Sequence, residues 1–115
     1  MIIRPTAIRR ELPSASRVLT QRLGERVEEL IGCKVRFLRT SPVRIEDQGK
    51  TWFGSDVYEF EVSGHPWPEV SRCFCWTNSE DELVHVLGGQ PPLATARDAV
   101  LYVLGGPRAP RDHYG

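Results

Sequence analysis

The sequence predicts an α+β fold in which a four-stranded antiparallel sheet is packed by two helices, in the order α-β-β-β-β-α. Three observations carry this. Apolar residues recur at helical spacing from Val18 to Ile31, period-two alternation dominates the segments between Lys34 and Gly88, and helical spacing returns after Pro91-Pro92. At 115 residues and 40% hydrophobic content, the chain suits one compact domain rather than two. We place an N-terminal arm at 1–13, the domain at 14–106 and a tail at 107–115.

The arm holds Arg4, Pro5, Arg9, Arg10 and Pro13 with little apolar periodicity. From Ser14 or Ser16, either a suitable N-cap, the first helix aligns Val18, Leu19, Leu23, Val27, Leu30 and Ile31 on one stripe. Gly24 inside it suggests close packing, and Gly32 suits a left-handed C-terminal cap. Lys34–Leu38 alternates as a strand that resumes at Val43–Ile45. The intervening Pro42 implies an edge position or a bulge. Residues 46–50 read as a turn, and 51–63 as a long return strand that Gly54-Ser55 should interrupt near its start.

The stretch Val70–Gly89 reads as a hairpin around an acidic turn. Cys73 and Cys75 share one face; Arg72, Phe74 and Trp76 share the other. Neither face is plainly polar, so both are covered, or one serves as an interface or pocket. After Gly88-Gly89, Thr95 with Asp98 resembles a capping box opening a helix with Ala96, Ala99, Val100, Val103 and Leu104 on its apolar stripe. Gly105-Gly106-Pro107 stops it. Two helices of this size can cover one side of the sheet, which leaves the other side to water, ligand or a second subunit.

Fifteen basic and fifteen acidic side chains cancel, so net charge favours neither nucleic acid nor an anionic membrane. Arg17, Arg22 and Arg26 are interspersed with Glu25, Glu28 and Glu29, which removes the local field that phosphate binding needs. No apolar run approaches the roughly 18 residues that span a bilayer. With no signal peptide evident and an odd count of cysteines (Cys33, Cys73, Cys75), a reducing, cytoplasmic setting is expected.

Chemistry has few anchors. Cys73 or Cys75 could face His85 across the hairpin, the pairing a thiolate nucleophile needs, although free cysteines on strands are usually packing residues. The C-x-C spacing on a strand does not match zinc knuckles, and no glycine loop of phosphate-binding type occurs, so no metal or cofactor is expected. Glu59 and Glu61 share a strand face at a separation compatible with two-carboxylate chemistry. Solvent exposure on a wet face explains them more simply.

The strand ending CFCWTN, the strand ELVHVLGG, the step PP and the helix TARDAVLYVL, residues 74–104, resemble small α+β proteins encoded by integron gene cassettes. That resemblance implies a short, single-domain, often dimeric protein with a binding or adaptive role, and it supplies no catalytic residues. The aromatic residues of the sheet half point the same way. The expected function is a binding module that holds a small apolar ligand or protein partner against Trp52, Tyr58, Trp67, Phe74 and Trp76, as a homodimer. The alternative is a small enzyme with Cys73 or Cys75 activated by His85.

Overall fold

The structure, a computed structural model, describes residues 3–105, with side chains from Arg17 onward. Its elements are α1 (Ile3–Ile31), β1 (Lys34–Asp47), β2 (Lys50–Ser63), β3 (Arg72–Thr77), β4 (Leu83–Gly88) and α2 (Ala96–Val103). The strands form one antiparallel sheet in sequence order, β1-β2-β3-β4. This is the expected α+β architecture. One boundary differs. Residues 3–13, expected as an arm, continue α1; Pro5 falls in the first turn, where a missing N–H leaves no intrahelical bond unmade. The expected tail, 107–115, lies outside the described residues.

β1 and β2 are each 14 residues long, more than twice the length of β3 and β4, so they project beyond the rest of the sheet as a two-stranded ribbon. Gly54 and Ser55 do not interrupt β2. Asp47 and Lys50 pair across a two-residue turn in which Gln48 and Gly49 both have positive φ (55° and 75°), the geometry whose twist matches the strands it joins. The register shifts between Phe37 and Arg39, leaving Leu38 as a bulge, and Pro42 lies on the edge strand. Of the two alternatives foreseen for Pro42, the edge position is the one present; the register through Ser41, Pro42 and Val43 is regular, and the bulge falls at Leu38.

The two helices pack on opposite faces of the sheet, not on one. Pairings of Cys73 with Phe60 and Leu87, and of Phe74 with Glu59 and Val86, fix which side chains share a face. On one face Phe60, Val62, Cys73 and Cys75 meet Val27 of α1, with Leu23, Ile31 and Val35 at the margin. On the other, Val43, Ile45, Val57, Phe74, Trp76 and Val86 meet Ala96, Ala99 and Val100 of α2. A strand with apolar residues on both faces needs a layer on each, because either face left wet would forgo the burial of several large side chains.

α1 approaches the sheet closely at Gly24. A Cβ there would stand 3.2 Å from Phe60 Cε2, which is the close packing that the glycine suggested. Only part of its apolar stripe reaches the sheet: Val18, Leu19 and Leu30 are exposed. α2 is capped as expected. Thr95 Oγ1 accepts from Asp98 N–H at 3.1 Å, and Asp98 Oδ2 accepts from Thr95 N–H at 3.0 Å.

Glu59 corrects the reading of a wet strand face. It is 5% exposed on the α2 side of the sheet, between β1 and β3. Its two carboxylate oxygens take separate arginines: Arg39 Nη1 at 2.6 Å and Arg72 Nε at 3.1 Å. Glu61, half-exposed, accepts from both Nε and Nη2 of Arg36, at 3.1 and 2.9 Å. Cross-strand arginines, each donating a charge-assisted hydrogen bond, make burial of the acid tolerable.

The chain leaves β4 and turns toward α2 through a tight crossing at Gly88, where a Cβ would come within 2.8 Å of Leu93 Cβ and against the Leu93 carbonyl oxygen. Backbone cannot yield there as a side-chain tip can. Gly88→Ala is therefore expected to destabilise the fold by about 2–3 kcal/mol. Urea unfolding monitored by circular dichroism checks this, and an unchanged midpoint would contradict the packing at this crossing.

Candidate functional site

The five aromatics expected to hold a ligand or partner do not all converge on one surface. Phe74 is fully buried and Trp76 is 3% exposed, both under α2. Tyr58 points to the α1 side of the sheet. Trp67, 63% exposed, lies in the loop before β3, where its indole meets the His65 ring edge-on at 5.7 Å. Trp52, 43% exposed, stands on the projecting ribbon, with Lys50 Nζ 4.5 Å from its ring centroid.

Two of the five do meet. A groove of about 560 Å³ opens where the ribbon passes the C-terminal end of α2. Its apolar lining is Trp52 and Phe53 from β2, Trp76 from β3, Val84 from β4, and Val103 and Leu104 at the end of α2. Phe53 and Trp76 are perpendicular neighbours, 5.5 Å between centroids at 78°. Thr77, Asn78 and Ser79 form a polar margin. That margin is well ordered by hydrogen bonds: Asn78 Oδ1 accepts from the N–H groups of Glu80 and Glu82, each at 2.9 Å, and Asn78 Nδ2 donates to Glu82 Oε1 at 3.0 Å.

Val103 and Leu104 were legible in the sequence as helix stripe, not as groove. The stripe of α2 outruns its buried part, which ends at Val100, a limit set by the packing and not by the spacing of apolar residues. Two other depressions hold fewer aromatics. One, about 450 Å³, runs between α1 and the sheet over Phe37 and Phe60, with Arg17, Glu25 and Glu28 at its rim. The other, about 300 Å³, combines Trp67 with Leu87, Pro91, Pro92 and Leu93.

Comparison with family profiles, curated proteins and solved structures finds no match to this chain. The chemistry must be read from the residues themselves. No group of three or more His, Cys, Asp or Glu among the described residues could hold a metal ion, and no helix among them is long and apolar enough to cross a membrane.

Cys75 does pair directly with His85 across β3 and β4, as the nucleophile reading requires. The environment works against it. Cys73 and Cys75 are fully buried, and burial pushes both thiols up to about 12 from an ordinary 9.0. A nucleophilic cysteine needs the reverse shift, and an exposed path for its substrate. Burial also raises the Tyr58 hydroxyl, with the Asp56 carboxylate adding to the effect.

The sign of the thiol shift sets a pH dependence. The unfolded chain releases thiol protons near 9.0 and the folded chain near 12, so stability is level below 9 and falls as pH rises through that window. Chemical unfolding at a series of pH values is expected to show this fall, diminished in Cys73→Ala. At pH 8, Ellman's reagent should titrate Cys33 alone in the native protein and all three cysteines in denaturant. Rapid native reaction of Cys73 or Cys75 would contradict their burial.

Proposed function

We propose that this chain is a binding module whose groove beside Trp52 holds an apolar or aromatic group of a small ligand or of a protein partner. The supporting observation is one concavity that gathers Trp52, Phe53, Trp76, Val84, Val103 and Leu104 around about 560 Å³, with a hydrogen-bonded polar margin at Asn78. Sites of this kind are largely apolar and gain orientation from a few polar groups at the mouth. A half-exposed tryptophan supplies much contact area and loses little rotamer freedom on binding. The resemblance of residues 74–104 to integron-cassette proteins favours a binding role too.

The test is a titration with 1-anilinonaphthalene-8-sulfonate, alongside a panel of neutral naphthalene and indole derivatives. Saturable one-to-one binding is expected, with Trp52→Ala weakening it about tenfold and Trp67→Ala leaving it unchanged. A flat response across the panel, or equal loss in both variants, would contradict the groove as the site.

A further inference from the structure

The sheet has two outer edges, and they are built differently. Their hydrogen-bonding phase follows from three bonds. Val62 N–H donates to Ser71 C=O at 3.0 Å, so the main-chain groups of Val62, Phe60 and Tyr58 face β3, and those of Glu61, Glu59 and Val57 face β1. In β1 the groups of Val35, Phe37, Thr40 and Pro42 therefore point outward. Asn78 N–H donates to Glu82 C=O at 2.9 Å, which sets the β3–β4 ladder so that Val84, Val86 and Gly88 face β3. The N–H and C=O groups of Leu83, His85 and Leu87 then point away from the sheet.

The β1 edge is closed to further pairing. The outward N–H of Val35 donates to Glu28 Oε2 of α1 at 2.9 Å, Leu38 bulges and Pro42 has no N–H. Lys34, Arg36, Arg39 and Arg44 also line this strand as exposed cations. These are the devices by which proteins protect an edge. The β4 edge has none of them. LVHVLG carries no formal charge at neutral histidine, no proline and no bulge after Leu83, and no hydrogen bond among the described residues engages the outward N–H groups of Leu83, His85 and Leu87.

We infer that the β4 edge pairs with the β4 edge of a second copy of this chain, antiparallel about a two-fold axis at His85, joining two four-stranded sheets into one of eight. The edge is self-complementary. With His85 opposite its symmetry mate, the outward groups of Leu83 meet those of the partner's Leu87, and every outward N–H finds a carbonyl. The antiparallel arrangement sends the acidic turn Glu80–Glu82 past the uncharged Gly88-Gly89-Gln90 of the other copy, so no acid opposes an acid. Apolar area adjoins the edge: Val84 shares the groove with exposed Val103, and Tyr102 beside it is also exposed. The inference is independent of what the groove holds.

The experiment is amide hydrogen exchange by NMR, with sedimentation equilibrium, on the full chain from about 1 to 300 µM. The expected mass at high concentration is twice 13.0 kDa. Amides of Leu83, His85 and Leu87 should gain protection in step with dimer formation, while those of Thr40 do not. His85→Pro deletes an N–H that bonds nothing within one copy, so it should leave the monomer folded and weaken the dimer about 30-fold, for two lost bonds of about 1 kcal/mol each. His85→Lys, which sets two ammonium groups opposite each other, should weaken it as well. A monomer at every concentration would overturn the inference. So would a dimer whose Leu83, His85 and Leu87 amides exchange freely, or one that both variants leave intact.

Discussion

Everything in this molecule follows from β3 having no polar face. Arg72–Thr77 places Cys73 and Cys75 on one side and Phe74 and Trp76 on the other, and all four are buried. A central strand of this kind is stable only between two layers, so α1 and α2 must separate to opposite faces. The two resulting cores share the sheet but not their side chains. One is built of Phe60, the cysteines and Val27; the other is built of Phe74, Trp76, Val57 and the small residues of α2. Alanines at 96 and 99 let the short helix lie close over large aromatics, and Gly24 does the same for α1 against Phe60.

Closing both faces moves any interaction surface to the margins. The face covered by α2 runs out of apolar partners in the middle of β2, and there Glu59 is held by Arg39 and Arg72 rather than by a hydrophobic lid. At the opposite end the ribbon of β1 and β2 outreaches β3, and α2 is too short to fill the angle beneath it. The groove at Trp52 is the geometric remainder of a long hairpin packed by an eight-residue helix. The unguarded edge of β4 is the other remainder, because β4 is the last strand and α2 crosses the sheet rather than flanking that edge.

Much of the fold was legible in the residues. Period-two alternation located all four strands, Pro42 announced an edge, and Thr95 with Asp98 announced the start of α2. The distribution of helices between faces was less so, because periodicity gives a helix an apolar stripe but does not say which sheet face it meets. Val70–Gly89 did contain the answer, since neither of its faces is polar. Glu59 was misread for a related reason. A glutamate in an alternating strand looks wet until its lateral neighbours are known, and Arg39 and Arg72 reach it from strands 20 and 13 residues away. The five aromatics do not gather because the two sheet faces send Tyr58 and Phe74 to different cores; of the five, Trp52 and Trp76 converge.

Each face of the sheet is closed by its own helix, so that Trp76 is 3% exposed while Trp52 and Trp67 are open to solvent. Fluorine NMR of protein labelled with 5-fluorotryptophan tests it directly, using a soluble gadolinium chelate as a relaxation probe and Trp→Phe variants for assignment. Two resonances, from Trp52 and Trp67, should broaden strongly and the Trp76 resonance should stay sharp. Comparable broadening of Trp76 would mean that the α2 face is open, and would contradict a sheet closed on both sides.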